Sequence, residues 1–113
     1  MTGTYRLVDV NGYGVPGVFT NQPANNRVVT ATSGAVTLTP DGTYNNRMDF
    51  TVVYNGVTTD SISVCTGTYS TRGNEAIFST SAPGCPTGVR AVWDYQDGLS
   101  VDYGLVQRTR YAR

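Results

Sequence analysis

The run Thr43-Tyr44-Asn45-Asn46-Arg47-Met48-Asp49-Phe50-Thr51-Val52-Val53-Tyr54, followed by Asn55-Gly56 and Val57-Thr58-Thr59-Asp60, decides the fold class. Tyr44, Met48, Phe50, Val52 and Tyr54 alternate with Asn45, Arg47, Asp49 and Thr51. Successive side chains of a strand point to opposite faces, so this segment is a strand with one dry and one wet face. Asn-Gly at its end supplies the two positive-φ residues of a type I′ turn, which predicts a two-residue hairpin.

The same grammar extends outward. Asn11-Gly12, Ser33-Gly34, Pro40-Asp41-Gly42, Arg72-Gly73-Asn74 and Gln96-Asp97-Gly98 are turn signals. They leave strands at Thr4–Val10, Arg27–Thr32, Ala35–Thr39, Thr43–Tyr54, Val57–Ser70, Glu75–Ser81, Val89–Tyr95 and Leu99–Thr109. Lysine is absent and glutamate occurs once, so strong helix formers are scarce while Thr, Val and Tyr abound. The 113 residues suffice for one core. The expectation is an all-β, up-and-down antiparallel barrel of about eight strands, a single domain over residues 1–113.

One stretch conflicts with simple alternation. A two-residue turn pairs Phe50 with Ser61, which puts Thr59, Ser61 and Ser63 on the core face and Ile62 and Val64 outside. Either a bulge shifts the phase or part of the lumen is polar, and the bulge is preferred because it buries the two aliphatics.

Gly3-Thr4-Tyr5, then Leu7-Val8-Asp9-Val10-Asn11-Gly12 and Val15-Pro16, resembles the opening of small bacterial lipocalin-like domains. The Thr37-Leu38-Thr39-Pro40-Asp41-Gly42-Thr43-Tyr44 hairpin and an arginine-bearing last strand extend the resemblance over nearly the whole chain. Calycin barrels open on Gly-x-Trp and pack that ring under an arginine of the final strand. Here Tyr5 stands where tryptophan would be, and Arg108 or Arg110 would cover it. The chain departs from the pattern in this tyrosine and in lacking a C-terminal helix. The resemblance implies an eight-stranded barrel with a mouth, which in many relatives holds a small apolar ligand.

The candidate ligand residues are Phe19, Tyr44, Met48, Phe50, Tyr54, Trp93, Tyr95 and Tyr103, with the Gly/Pro/Asn-rich Tyr13–Asn26 segment as a lid. Against that reading, eight strands enclose a space that side chains alone can fill. Cys65 and Cys85 are expected to form a disulfide, because Ala82-Pro83-Gly84 can curl Cys85 back to its partner. The alternative is two buried free thiols in a cytosolic protein. A disulfide implies a secreted or periplasmic location. Met1 runs directly into a strand with no apolar leader, as an added start on a trimmed domain would.

Other chemistries find little support. Zero net charge argues against nucleic acid or an anionic membrane, and no apolar run is long enough to span one. With no histidine there is no ordinary nucleophile relay and no zinc site, so no catalytic residue, metal or cofactor is assigned. Asp9-Val10-Asn11-Gly12 lacks the later carboxylate of a calcium loop and reads as a turn. Asp9 and Asp60 lie on or near apolar stripes, where a buried carboxylate would have a raised pKa. The leading expectation is a small-molecule binding barrel, monomeric, for an apolar or aromatic ligand. The alternatives are a protein-binding or inhibitor barrel that presents the 13–26 loop, and a barrel enzyme acting by shape with a buried aspartate.

Overall fold

In the computed structural model, which describes residues 2–85, 87–93, 98–102 and 108–113, nine strands form one antiparallel sheet. They are β1 (Gly3–Val10), β2 (Gly17–Gln22), β3 (Arg27–Leu38), β4 (Thr43–Tyr54), β5 (Val57–Arg72), β6 (Glu75–Ser79), β7 (Val89–Trp93), β8 (Gly98–Asp102) and β9 (Arg108–Ala112). The sheet runs β1-β9-β8-β7-β6-β5-β4-β3-β2, and β1 also pairs with β3. That last pairing, Gly3 through Arg6 against Leu38 through Ala35, closes eight strands into a ring. The all-β antiparallel barrel expected from alternation is therefore the observed fold.

The ninth strand explains the shape. β2 lies beyond β1 on the same edge of β3, pairing with Arg27 through Ala31. β3, β4 and the first half of β5 rise with it past the end of β6, whose pairing with β5 begins only at Thr68. The result is a four-stranded flap standing on one end of the barrel, and the molecule measures 43 × 30 × 22 Å.

Several sequence readings are corrected here. Tyr13–Asn26 is not a structureless loop: it holds β2 and a 3-10 turn, Pro23–Asn25. Ser33-Gly34 is not a hairpin; β3 runs through it with a register shift between Ala31 and Ser33. The glycine there serves a close approach, since a Cβ would stand 3.3 Å from Leu7 Cβ of β1. The single strand read over 99–109 is two, β8 and β9, which pair with each other. β5 has no bulge against β4: Tyr54 faces Val57, Phe50 faces Ser61 and Tyr44 faces Gly67 in unbroken register. Ile62 and Val64 point outward and are exposed. This half of β5 belongs to the flap, where both faces meet water, so no buried face calls for a bulge.

Inside the ring the dry faces converge. Tyr5, Leu38, Phe78, Leu99, Val101 and Tyr111 are all at most 1% exposed. Tyr44 stacks on Phe78 with centroids 4.5 Å apart, and Trp93 Nε1 donates to Tyr5 Oη at 3.1 Å across the core. The indole N–H thus finds its acceptor on the phenol oxygen inside the core, as a buried donor requires.

Candidate functional site

The residues read as ligand-lining separate into two groups. Tyr44, Met48 and Trp93 are buried among core side chains of the ring. Phe19, Phe50 and Tyr54 belong to the flap. Phe19 sits at the irregularity where the β2–β3 register shifts between Val18 and Thr20, and its ring meets Phe50 edge-on at 5.3 Å. Both are half-buried, while Tyr54, near the hairpin tip, is exposed. Tyr95 and Tyr103 lie outside the described residues.

Two open surface depressions are formed by described residues. One, of about 720 Å³, lies along β1, β8 and β9 beside Asp9, Tyr13 and Arg108. Another, about 580 Å³, lies beside the β4–β5 turn, lined by Pro23, Arg27 and Asn55 among others. Neither includes a core aromatic.

Among the described residues, Tyr13 is the most exposed of the large hydrophobic side chains, at 82%. It sits on the turn between β1 and β2, held by Tyr13 N–H donating to Val10 O and by Asp9 Oδ1 accepting from Gly12 N–H at 2.6 Å. Asp9 is thus a half-buried turn cap, and Asp60 lies on the exposed face of the flap. Neither carboxylate faces an enclosed space, which leaves the reading of a buried aspartate base without its geometry. No cluster of metal-ligating side chains occurs among the described residues.

The barrel-closing arginine is Arg113, whose guanidinium lies 5.7 Å from the Tyr5 ring centroid and donates to Thr2 O. Arg108 and Arg110, the sequence candidates, instead sit farther up β9, opposite Asp102 and Ser100. Thr109 between them is buried, so its neighbours alternate to the outer face.

Cys65 and Cys85 form the expected disulfide, with Cα atoms 5.8 Å apart. It ties the β6–β7 loop to β5 just past the point where β6 stops pairing, and Thr80 Oγ1 donates to Thr66 O at 2.7 Å beside it. No helix among the described residues is long and apolar enough to cross a membrane.

Hydrogen bonding lowers the pKa of two surface carboxylates. Hydrogen bonds from the hydroxyls of Thr39 and Thr43, and from Thr43 N–H, hold Asp41 below its ordinary pKa in the β3–β4 turn. The Ser33 hydroxyl, at 2.7 Å, and then the Arg47 guanidinium hold Asp49 low as well. A depressed folded-state pKa contributes stability above the unfolded value, roughly 3.9, which is lost as pH falls through the folded value. Urea midpoints should therefore decline below about pH 4. Asp41→Asn should shrink that decline; an unchanged slope would remove Asp41 from the account.

Compared with protein-family models, curated proteins and solved structures, the chain matches none.

Proposed function

We propose that this protein is a binding barrel that engages another protein through its surface, presenting the Tyr13 turn and the adjoining β2 edge of the flap. The observation that carries this reading is the cluster of aromatics buried within the ring. Tyr5, Tyr44, Phe78, Trp93 and Tyr111 pack there among the core side chains, and eight strands leave an interior that side chains can fill. What the ring does not use internally it displays: an 82% exposed tyrosine on a hydrogen-bonded turn, next to a sheet standing clear of the barrel. Tyrosine is the side chain type that anchors protein interfaces, because it offers large contact area at low entropic cost. The disulfide favours an oxidising, extracytoplasmic setting for such a module.

A second reading keeps the small apolar ligand and moves it to the inner face of the flap, where Phe19 and Phe50 are half-buried. Titration with the apolar fluorophore N-phenyl-1-naphthylamine separates the two, because Trp93 is the one tryptophan and can act as energy donor. The surface-binding reading expects no saturable transfer. Saturable transfer abolished by Phe50→Ala would establish the flap ligand, and saturable transfer that survives this change would place a ligand within the ring.

A further inference from the structure

We propose that Asn55 is a site of spontaneous covalent modification, in which the backbone nitrogen of Gly56 displaces the side-chain amide and the flap tip is converted to aspartate and isoaspartate. This goes beyond the surface-binding reading and does not depend on it.

The chain contains Asn-Gly twice, at Asn11-Gly12 and Asn55-Gly56. The dipeptide is reactive because glycine has no side chain to keep its backbone nitrogen from reaching Cγ of the asparagine before it. Both pairs turn the chain with nearly the same backbone, φ 53° and 87° at the first and 52° and 79° at the second. Backbone conformation therefore does not separate them. Their hydrogen bonds do.

Asn11-Gly12 is bonded at every atom the reaction uses. The nucleophile, Gly12 N–H, donates to Asp9 Oδ1 at 2.6 Å. The leaving group, Asn11 Nδ2, donates to Val18 O at 3.2 Å, and Asn11 Oδ1 accepts from Arg108 N–H at 2.8 Å. Asn11 N–H also donates to Arg108 O at 2.8 Å, which fastens this turn to β9.

At Asn55-Gly56 the pattern is reversed. Among the described residues, neither Gly56 N–H nor Asn55 Nδ2 has a hydrogen-bond partner, and nothing lies within 4 Å of where a Gly56 Cβ would stand. What is held is the carbonyl: Asn55 Oδ1 accepts from Asn26 Nδ2 at 3.3 Å, which draws electron density from Cγ and favours attack there. The flanking Tyr54 and Val57 are 52% and 62% exposed, so the tip moves at little cost in burial.

The reaction balances with water alone. Hydroxide takes the Gly56 N–H proton, and the nitrogen forms a bond to Asn55 Cγ. The Cγ–Nδ2 bond breaks, and ammonia leaves with a proton from water, which regenerates the hydroxide and leaves a succinimide ring. Water then opens the ring at Cγ to give aspartate, or at the Asn55 carbonyl carbon to give isoaspartate, whose backbone runs through Cβ. Either product places a carboxylate in the depression of about 580 Å³ that Asn26 and Arg27 also line. Isoaspartate also lengthens the backbone of a turn with only two residues between the paired Tyr54 and Val57, so that pairing is lost.

The test incubates the folded full chain in mildly alkaline buffer and follows its tryptic fragments by mass spectrometry. Residues 48–72 form one fragment, in which Asn55 is the one asparagine. That fragment should gain about one mass unit and resolve into aspartate and isoaspartate products. Asn11, located by fragmentation within residues 7–27, should react at least about tenfold more slowly, because its hydrogen bonds must open first. In concentrated urea, where both turns are lost, the two sites should react at similar rates. Asp9→Ala, which releases Gly12 N–H, should narrow the gap in the folded chain. Equal rates at the two sites in the folded chain, or a gap that persists unchanged in urea, overturns the proposal. So does a product at Asn55 that is aspartate alone, which would mean direct hydrolysis of the side chain without the ring.

Discussion

Gly67→Ala should cost about 3 kcal/mol or more, among the largest effects of any single-methyl addition to this chain. Gly67 is where β5, still paired with Tyr44 of β4, comes against the end of β6. A Cβ there would stand 2.1 Å from Ser79 O and 2.9 Å from Tyr44 Cε1, closer than real Cβ contacts come. Neither neighbour yields cheaply. Ser79 O is backbone of an adjacent strand, and the Tyr44 ring is stacked on Phe78 inside the ring. Relief requires β6 to shift, which disturbs the register that places Phe78 in the core. Since a domain of this size has a total stability of only about 5–15 kcal/mol, the variant should melt on the order of 10 °C lower. Urea unfolding followed by Trp93 fluorescence measures it; a cost below about 0.5 kcal/mol, the ordinary range for a surface change, would mean the strands are not this close.

Removing the Cys65–Cys85 bridge should cost a similar amount, about 3 kcal/mol in the chain-entropy model, because it joins residues 20 apart in sequence. The bridge is also the covalent tie between the β6–β7 loop and β5 at the foot of the flap, where β6 no longer supports that strand. Replacing both cysteines by serine should therefore lower the urea midpoint and speed hydrogen exchange around Cys65, while Leu99 and Val101, buried on the far side of the ring, stay protected. A double variant as stable as the wild type would mean that the reduced chain already holds this loop in place.

The sequence was most readable where a side chain pattern and a turn agreed. β4 ends at Tyr54 as its alternation requires, and Asn55-Gly56 takes the positive φ values, 52° and 79°, that its hairpin needs. The cysteine pair was legible from the reach of one short loop. The misreadings share a cause: alternation reports which side of a strand is dry only where something covers that side. β5 rises beyond the ring, so its Ile62 and Val64 are exposed without penalty of register, and no bulge is needed to hide them. Ser33-Gly34 has the composition of a turn but serves the close passage of β1 past β3. Tyr13–Asn26 concealed β2 because a six-residue strand rich in polar side chains carries little periodicity. The closing arginine was misplaced because Arg108 and Arg110 flank a buried Thr109 and alternate to the outer face, while Arg113 at the chain end folds back to Tyr5.

For the candidate site, the residue types were legible but their grouping was not. Tyr44, Phe50 and Tyr54 lie on one face of one strand, yet Tyr44 is sealed in the ring, Phe50 is half-buried and Tyr54 stands in water. Position along the strand relative to the rim decides this, and the rim is set by where β1 and β6 end.

The central claim is that the barrel is filled by its own side chains and binds through its surface. Native mass spectrometry of freshly purified protein, with and without reductant, tests it most directly. The predicted result is the chain mass lowered by two hydrogens, rising by two on reduction, with no small molecule attached. A small molecule carried at one per chain and released on denaturation would contradict it, and would return the function to an enclosed ligand.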